Sequence, residues 1–179
     1  MLKYSLSLSL SLLLSFSLAI SPDDQASAFH LVNADGEVVG LEDFAGEPLI
    51  VNFWATWCPS CNRELPELHG FIEDFPGLPV LLLSATDDPL AAMVHIEDMA
   101  WTSFTGLYDP SMLMEETELE LMAPRDVAAA WQVRGQPVTV VLDGDAKVVS
   151  VYQGRLNLES LASDLLLAGY SEPEGEESN

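Results

Sequence analysis

The segment FWATWCPSC, residues 53–61, contains both cysteines of this 179-residue chain, Cys58 and Cys61. Two residues separate them, a spacing that occurs in redox couples, in metal sites and in disulfides that only support a fold. The apolar run PLIVNFW comes just before the first cysteine, and its composition predicts a buried central strand. Apolar residues then recur at helical spacing through residues 65–75. The pair is therefore expected where a buried strand ends and a helix begins.

The rest of the chain alternates predicted strands and helices. Asp88, followed by a proline, and Asn157, followed by leucines, are typical caps at the start of a helix. This alternation predicts an α/β domain whose central mixed sheet carries helices on both faces and an added N-terminal β-hairpin. The predicted elements are hairpins at 29–41 and 137–154, strands at 48–54 and 78–86, helices at 61–75, 87–101, 123–133 and 157–170, and a loop at 102–114.

Composition excludes several classes of function. With 29 acidic and 6 basic side chains, the formal net charge is −23, which argues against binding to nucleic acid. The same charge argues against docking of the folded surface on anionic lipid. It indicates a solubilising surface or a salty medium, and it remains compatible with a basic protein partner such as a cytochrome.

The first twenty residues resemble a targeting segment. Lys3 precedes an apolar run that is broken by serines and ends at Ile20, so residues 1–20 are predicted to be a signal peptide or a membrane anchor. Small residues suit cleavage after Ala19. The folded part is thus expected to be periplasmic or otherwise exported, and anchored in the inner membrane if the leader is retained. The predicted order continues with a linker at 21–28, a folded domain at 29–170 and an acidic disordered tail at 171–179.

The position of the cysteines favours a redox couple. N–H groups and the dipole at a helix N-terminus stabilise a thiolate, which is the nucleophilic form of cysteine. Cys58 is therefore predicted to attack a disulfide of another protein. Cys61, one turn further on, could attack the resulting mixed disulfide and release the partner. Pro59 suits the start of the helix and restricts the loop.

A metal site and a purely structural disulfide fit less well. Zinc needs about four ligands, and His30, His69 and His95 do not have metal-ligand spacing to the cysteines. A structural disulfide usually joins distant segments, because a short loop constrains little of the unfolded chain. No metal and no cofactor are predicted beyond the Cys58–Cys61 disulfide.

Three motifs together resemble a known family. These are FWATWCPSC, the E-x-P that follows the second cysteine at Glu64 and Pro66, and GQPVTVVLDGD around Pro137. Over roughly residues 29–170 the chain resembles the thioredoxin superfamily, specifically its exported thiol–disulfide oxidoreductases of the TlpA/ResA/DsbE type. The acidic segment at 111–124 is longer than the usual loop of that family. It is interpreted as a solvated helix extension or as an insert that shapes partner choice.

The resemblance assigns further site residues. By spacing alone Glu64 would be read as a solvated helix glutamate, but the matching family position is a buried acid, which implies a proton shuttle to Cys61. Asn52 stands where cytosolic thioredoxins carry their acid. The resemblance also implies a cis peptide bond at Pro137, which would lie against Cys58 and disfavour capture of metal by the cysteines. The backbone of Gln136 is expected to pair with an extended substrate segment.

Trp57 and Pro59, on either side of Cys58, are expected to contribute to the surface that contacts the substrate. The resemblance implies an exported oxidoreductase that reduces protein disulfides, of the kind used in cytochrome c maturation or in assembly of oxidase copper sites. Its partners would be a protein dithiol or disulfide and an electron donor, either in the membrane or another thiol reductant. The dipeptide Pro59–Ser60 lacks the histidine that favours an oxidant, which points to a reductant.

Three alternative functions remain open. The first is a disulfide oxidase or isomerase that acts in the folding of secreted proteins. A thiol peroxidase would need a threonine three residues before its cysteine, whereas Thr56 is two residues before Cys58 and no matching proline precedes it. A copper-binding assembly factor would need a ligand histidine beside the pair, and none is evident.

Overall fold

A computed structural model describes residues 19–109 and 121–172 of the chain. Most of the predicted leader, most of the acidic segment at 111–124 and most of the predicted tail lie outside the described residues. In the described part, no helix has the length and apolar character needed to cross a membrane.

The structure contains a central mixed sheet and a separate N-terminal hairpin, as the sequence predicts, but the sheet has five strands where the sequence predicts four. The sheet order is β5-β4-β3-β6-β7, with β3 parallel to β4 and antiparallel to β6. The strands are β1 (His30–Val32), β2 (Val38–Gly40), β3 (Leu49–Trp54), β4 (Val80–Ser84), β5 (Thr105–Leu107), β6 (Val138–Leu142) and β7 (Val148–Gln153). The helices are a short 3₁₀ helix at Leu41–Phe44, then α1 (Cys61–Ile72), α2 (Pro89–Asp98), α3 (Pro124–Ala130) and α4 (Leu158–Leu167).

The central strand β3 is buried on both faces, which is why its sequence is a nearly continuous apolar run. On one face, Ile50 and Trp54 pack in the same core as buried residues of α1, α2 and α4. On the other face, Val51 and Phe53 pack with α3 and the N-terminal segment. The helices therefore cover both faces, and the C-terminal end of β3 leads directly into the cysteine loop.

The predicted helix caps are present. The Asp88 side chain accepts hydrogen bonds from the backbone N–H groups of Leu90 and Ala91 at the start of α2. Asn157 accepts one from Ser160 N–H at the start of α4. Each cap satisfies N–H groups that have no partner inside the helix.

The loop predicted at 102–114 is wrong in part, because Thr105–Leu107 forms β5 at the sheet edge. It pairs in parallel with β4, with Leu82 opposite Gly106. A segment of three residues with a central glycine is too short to show the alternation of apolar and polar residues that identifies a strand. This strand forms because it pairs with β4, and that pairing cannot be recognised from the local sequence.

The segment predicted as a linker at 21–28 is attached to the domain. Backbone hydrogen bonds join it to the β6–β7 hairpin, from Asp23 N–H to Val148 O and from Ala26 N–H to Ala146 O, and Ala26 is buried. The sequence of residues 21–28 does not itself reveal pairing with a segment more than a hundred residues later. Cleavage after Ala19 would leave these contacts intact.

Candidate active site

The two cysteines are joined in a disulfide at the N-terminus of α1, with their Cα atoms 5.3 Å apart. Cys61 is the first residue of α1, whereas Cys58 lies in the loop between β3 and α1 rather than in the helix itself. The Cys58 sulfur nevertheless accepts a hydrogen bond from Cys61 N–H, with 3.2 Å between donor and acceptor. The first turn of the helix thus directs a backbone donor at this sulfur, which is the arrangement that stabilises a thiolate.

Two further groups lie against the Cys58 sulfur. The hydroxyl of Ser60 is 3.2 Å away and donates to it, since a disulfide sulfur has no proton of its own. The carbonyl oxygen of Gln136 is 3.9 Å away. Sequence reasoning treated Ser60 only as part of the dipeptide between the cysteines. The contact could have been predicted from the sequence, because a hydroxyl two residues after a cysteine at the start of a helix is within reach of the cysteine sulfur.

The Gln136–Pro137 peptide bond is cis, as the resemblance implied. The loop is held in place by the Pro137 carbonyl oxygen, which accepts a hydrogen bond from Gly154 N–H at 2.9 Å. Gly135 has a φ of +87°, a conformation that favours glycine just before the loop. The loop therefore presents the backbone of Gln136 beside Cys58.

Glu64 is a buried carboxyl group, only 6% exposed, as the resemblance implied and spacing alone did not. One oxygen accepts a hydrogen bond from Leu156 N–H at 2.8 Å, and the other lies 3.5 Å from the amide nitrogen of Asn52. Burial raises the pKa of Glu64, and these two donors offset only part of that effect. A carboxyl group of this kind holds its proton to a higher pH than an exposed one.

Asn52 connects Glu64 to the central sheet. Its amide nitrogen donates to the hydroxyl of Thr139 at 2.9 Å, while its amide oxygen is buried without a hydrogen-bond partner. Asn52 on β3 faces Thr139 on β6 in the strand register. Thr139 was not identified from the sequence, although its position two residues after Pro137 places it on the same face as the site.

The predicted contact residues differ in exposure. Trp57 is 63% exposed, Pro59 is exposed and Gln136 is partly buried. They surround Cys58, which retains 3% exposure while Cys61 has none. Their role in substrate contact stays a prediction. Trp54, by contrast, is buried and packs on His95 and Trp101 in the core.

A cleft of about 220 Å³ opens beside the disulfide. We call it the arginine cleft; it is lined by Ser60, Arg63, Glu64, Glu67 and Arg155. A larger cavity of about 390 Å³ is lined by the N-terminal end of β3 and the β6–β7 turn, at the opposite end of the sheet from the cysteines. Because it contains neither cysteine, we assign the chemistry to the disulfide end. Within residues 19–109 and 121–172, His, Cys, Asp and Glu side chains form no group of three or more that could hold a metal ion.

Comparison with known proteins agrees with this site. A sequence model of the AhpC/TSA family matches residues 22–155. The chain belongs to the AhpC/TSA family.

Named relatives of this AhpC/TSA family member are thiol–disulfide oxidoreductases. The thiol–disulfide oxidoreductase ResA of Bacillus subtilis is 26% identical over 148 residues, which is 83% of this chain and 75% of the relative. ResA of Halalkalibacterium halodurans is 25% identical over 133 residues, 73% of this chain and 68% of the relative. The solved structure of a thio-disulfide isomerase from Thermus thermophilus is 30% identical, with a TM-score of 0.69 over 85% of this chain and 99% of that one.

The fold, the family and these relatives identify the protein as a thioredoxin-like thiol–disulfide oxidoreductase that acts on protein thiols and disulfides. The site contains what that chemistry needs. A backbone N–H at the start of α1 contacts the Cys58 sulfur, which is bonded to the Cys61 sulfur; the Gln136 carbonyl lies nearby, and Glu64 is a buried acid on the same helix.

Proposed function

We propose that this AhpC/TSA family member is an exported reductase of protein disulfides, with Cys58 as the attacking thiolate and Cys61 as the resolving cysteine. One observation carries the assignment of roles. The Cys58 sulfur accepts the Cys61 N–H and lies beside the exposed residues Trp57 and Pro59, whereas Cys61 is fully buried. A partner sulfur can therefore approach only from the Cys58 side.

The proposed reaction transfers two electrons from the protein to its partner. The Cys58 thiolate attacks one sulfur of the partner disulfide, so a mixed disulfide forms and the first partner thiolate leaves. The Cys61 thiolate then attacks the Cys58 sulfur and releases the second partner thiolate. The partner is reduced to a dithiol, and the protein is oxidised to the Cys58–Cys61 disulfide. A dithiol donor, in the membrane or soluble, must then reduce that disulfide before another cycle.

Glu64 is proposed to move the proton that the second step requires. Cys61 must lose its proton before it can attack, and it is buried away from bulk water. Glu64 follows three positions later on the same helical face. Its position in the arginine cleft gives it a route to solvent, and its raised pKa allows it to exchange a proton nearer neutral pH.

The pathway is proposed to be cytochrome c maturation or the assembly of oxidase copper sites. The motif resemblance to the TlpA/ResA/DsbE type supports this class, and the Pro59–Ser60 dipeptide favours a reductant. The charged start and apolar run of residues 1–20 support export, with the leader either cleaved or kept as an anchor.

Trapping of the mixed disulfide tests this proposal. A Cys61→Ser variant lacks the resolving thiolate, so it should accumulate a covalent adduct between Cys58 and its partner, detectable by mass spectrometry. Cys58→Ser is the control and should trap nothing. A reduction potential of about −120 mV, at the strongly oxidising end of the range, would overturn the proposal. Adducts formed equally by both variants would also overturn it.

An isomerase or oxidase in the folding of secreted proteins is the second candidate, because the Thermus relative is named a thio-disulfide isomerase. An isomerase and a reductase differ in which cysteines they need. An isomerase can shuffle a scrambled substrate with Cys58 alone, so Cys61→Ser would retain that activity. A reductase needs both cysteines for turnover.

A thiol peroxidase is not supported by the geometry of Thr56. Its hydroxyl donates to one Asp87 oxygen at 2.8 Å, and its backbone N–H donates to the other at 2.7 Å. The hydroxyl proton is thus directed to Asp87 rather than to a peroxide at Cys58. Consumption of hydrogen peroxide should be the same in the protein and in Cys58→Ser.

A further inference from the structure

Three arginines of this acidic protein have no anionic partner in the part of the chain that the structure describes. Among the described residues, Arg125 pairs with Asp109 at 3.1 Å and Lys147 with Asp23 at 2.7 Å. In the same part of the chain, the remaining basic side chains make no ion pair or hydrogen bond. These are Arg63, Arg134 and Arg155.

Two of the unpaired arginines line the arginine cleft. Arg63 is on α1, two residues after Cys61, and Arg155 follows β7. The cleft begins at Ser60, whose hydroxyl donates to the Cys58 sulfur. The two arginines therefore line a cleft whose lining residue Ser60 contacts the Cys58 sulfur.

The third unpaired arginine flanks the cis-proline loop. Arg134 is exposed and stands two residues before Gln136, whose carbonyl oxygen is 3.9 Å from the Cys58 sulfur. All the unpaired arginines in the described chain thus either line the arginine cleft or lie within two residues of Gln136. The two cations with partners, Arg125 and Lys147, contact residues that do not contact the disulfide.

This distribution has no evident role in stability. A surface ion pair contributes little, so an unpaired arginine costs little. Many acidic residues of the described chain are nevertheless available as partners and make no ion pair with these arginines. A guanidinium group instead suits carboxylate recognition, because its fork donates two parallel hydrogen bonds to the two oxygens.

We infer that the arginine cleft binds an aspartate or glutamate side chain near the reactive cysteine of the partner protein. The inference rests on the proposed function, since it concerns the segment that Cys58 attacks. The cleft volume of about 220 Å³ suits a single side chain rather than a folded element.

The acidic groups nearby leave the two arginines available. Glu64 is bonded to Leu156 N–H, and burial favours its neutral form. Glu67 is exposed and makes no ion pair with Arg63 or Arg155. Asp87 is occupied by Thr56 and Ser84.

The net charge of −23 opposes an acidic protein at long range but does not oppose a local contact of this kind. Repulsion between exposed charges is screened beyond about 8 Å at physiological ionic strength, while contacts inside a cleft are screened less. A partner that is basic overall but carries one acidic residue beside its cysteine would satisfy both constraints.

Peptide disulfides of matched sequence test the inference. The substrates are identical except for one residue near the cysteine, which is Glu, Gln or Lys, placed before the cysteine in one set and after it in another. Second-order rate constants are measured with the reduced full chain. We expect Glu to exceed Gln by about fivefold in one of the two sets, the factor that an ion pair of about 1 kcal/mol supplies.

The variants assign this preference to the cleft. Arg63→Gln combined with Arg155→Gln should remove most of the advantage of Glu, and the double Lys variant should restore part of it. Lys147→Gln removes a cation at the β6–β7 turn, at the opposite end of the sheet from the disulfide, and should leave the preference unchanged. Equal rates for Glu and Gln, a preference for Lys, or a preference for Glu that survives in the double Gln variant would overturn the inference. If no peptide reacts at all, the proposed function itself fails.

Discussion

At the scale of single residues, Glu64 shows how burial changes the acidity of a common side chain. Its pKa is raised above the ordinary value of 4.5, mainly by burial. The folded state therefore binds the proton more tightly than the unfolded state does. It follows that the Glu64 contribution to stability is complete below about pH 4.5 and is lost as the pH rises through the folded-state pKa.

Glu64→Gln should remove this pH dependence. Between about pH 4 and pH 8, the free energy of unfolding of the oxidised protein should fall relative to that of the variant as the pH rises. Urea denaturation of both proteins across this range measures the difference. Glu73→Gln, an exposed position at the end of α1, controls for the loss of one negative charge. A difference between protein and variant that stays constant with pH would contradict the prediction.

Thr139 is predicted to stabilise the hydrogen-bond network behind Glu64. Thr139→Val removes the acceptor of the Asn52 amide nitrogen, 2.9 Å away, in a fully buried place. Leaving a buried donor without a strong partner should lower the free energy of unfolding by about 1–3 kcal/mol. Thr139→Ser keeps the hydroxyl and should lose less. Equal stability of the Val and Ser variants, measured by urea denaturation, would show that this bond contributes little.

Residue patterns predicted the reactive part of the site and missed its supporting contacts. The C-x-x-C spacing and the flanking strand identified Cys58 and Cys61 directly. Predicting the burial of Glu64 required the family resemblance. The helical pattern alone contains glutamates at neighbouring positions and does not show which of them points inward. The Leu156 N–H that binds Glu64 could not be predicted, because it comes from a loop 92 residues away in sequence.

At the scale of elements, α1 supports the site in spite of residues that disfavour a helix. It contains Pro66 and Gly70, yet Leu65, Leu68 and Ile72 are buried against the sheet. Packing of this apolar face outweighs weak propensity. The sequence predicted the helix because its apolar period was strong, whereas β5 was missed because three residues show no period.

Gly70→Ala should stabilise α1. A Cβ at Gly70 would meet no atom within 4 Å, and alanine loses less conformational entropy in a helix. The free energy of unfolding should rise by about 0.5–1 kcal/mol. Gly144→Ala is the contrasting change, because its Cβ would lie 2.7 Å from a Gly46 backbone atom and should destabilise the protein. A loss of stability in Gly70→Ala would show that α1 needs this glycine for another reason.

At the scale of the whole molecule, charge is the dominant feature. The net charge of −23 creates self-repulsion in the compact state that the unfolded chain relieves by expanding. The ion pairs seen among the described residues, such as Lys147–Asp23, are largely exposed and contribute little. Screening should therefore remove more repulsion than attraction.

The protein should become more stable as salt is added at low concentration. Between about 0.01 M and 0.15 M NaCl the Debye length falls from about 30 Å to about 8 Å, so repulsion between distant carboxylates is lost first. Urea is the suitable denaturant because it is uncharged, and the free energy of unfolding should rise across this range. Sodium sulfate at equal ionic strength distinguishes charge screening from exclusion of the salt from the protein surface. If the free energy of unfolding rises equally in NaCl and in sodium sulfate, the cause is screening. A fall in stability with NaCl would mean that close ion pairs outweigh self-repulsion, and the unpaired arginines at the cleft would then require an explanation other than a partner's carboxylate.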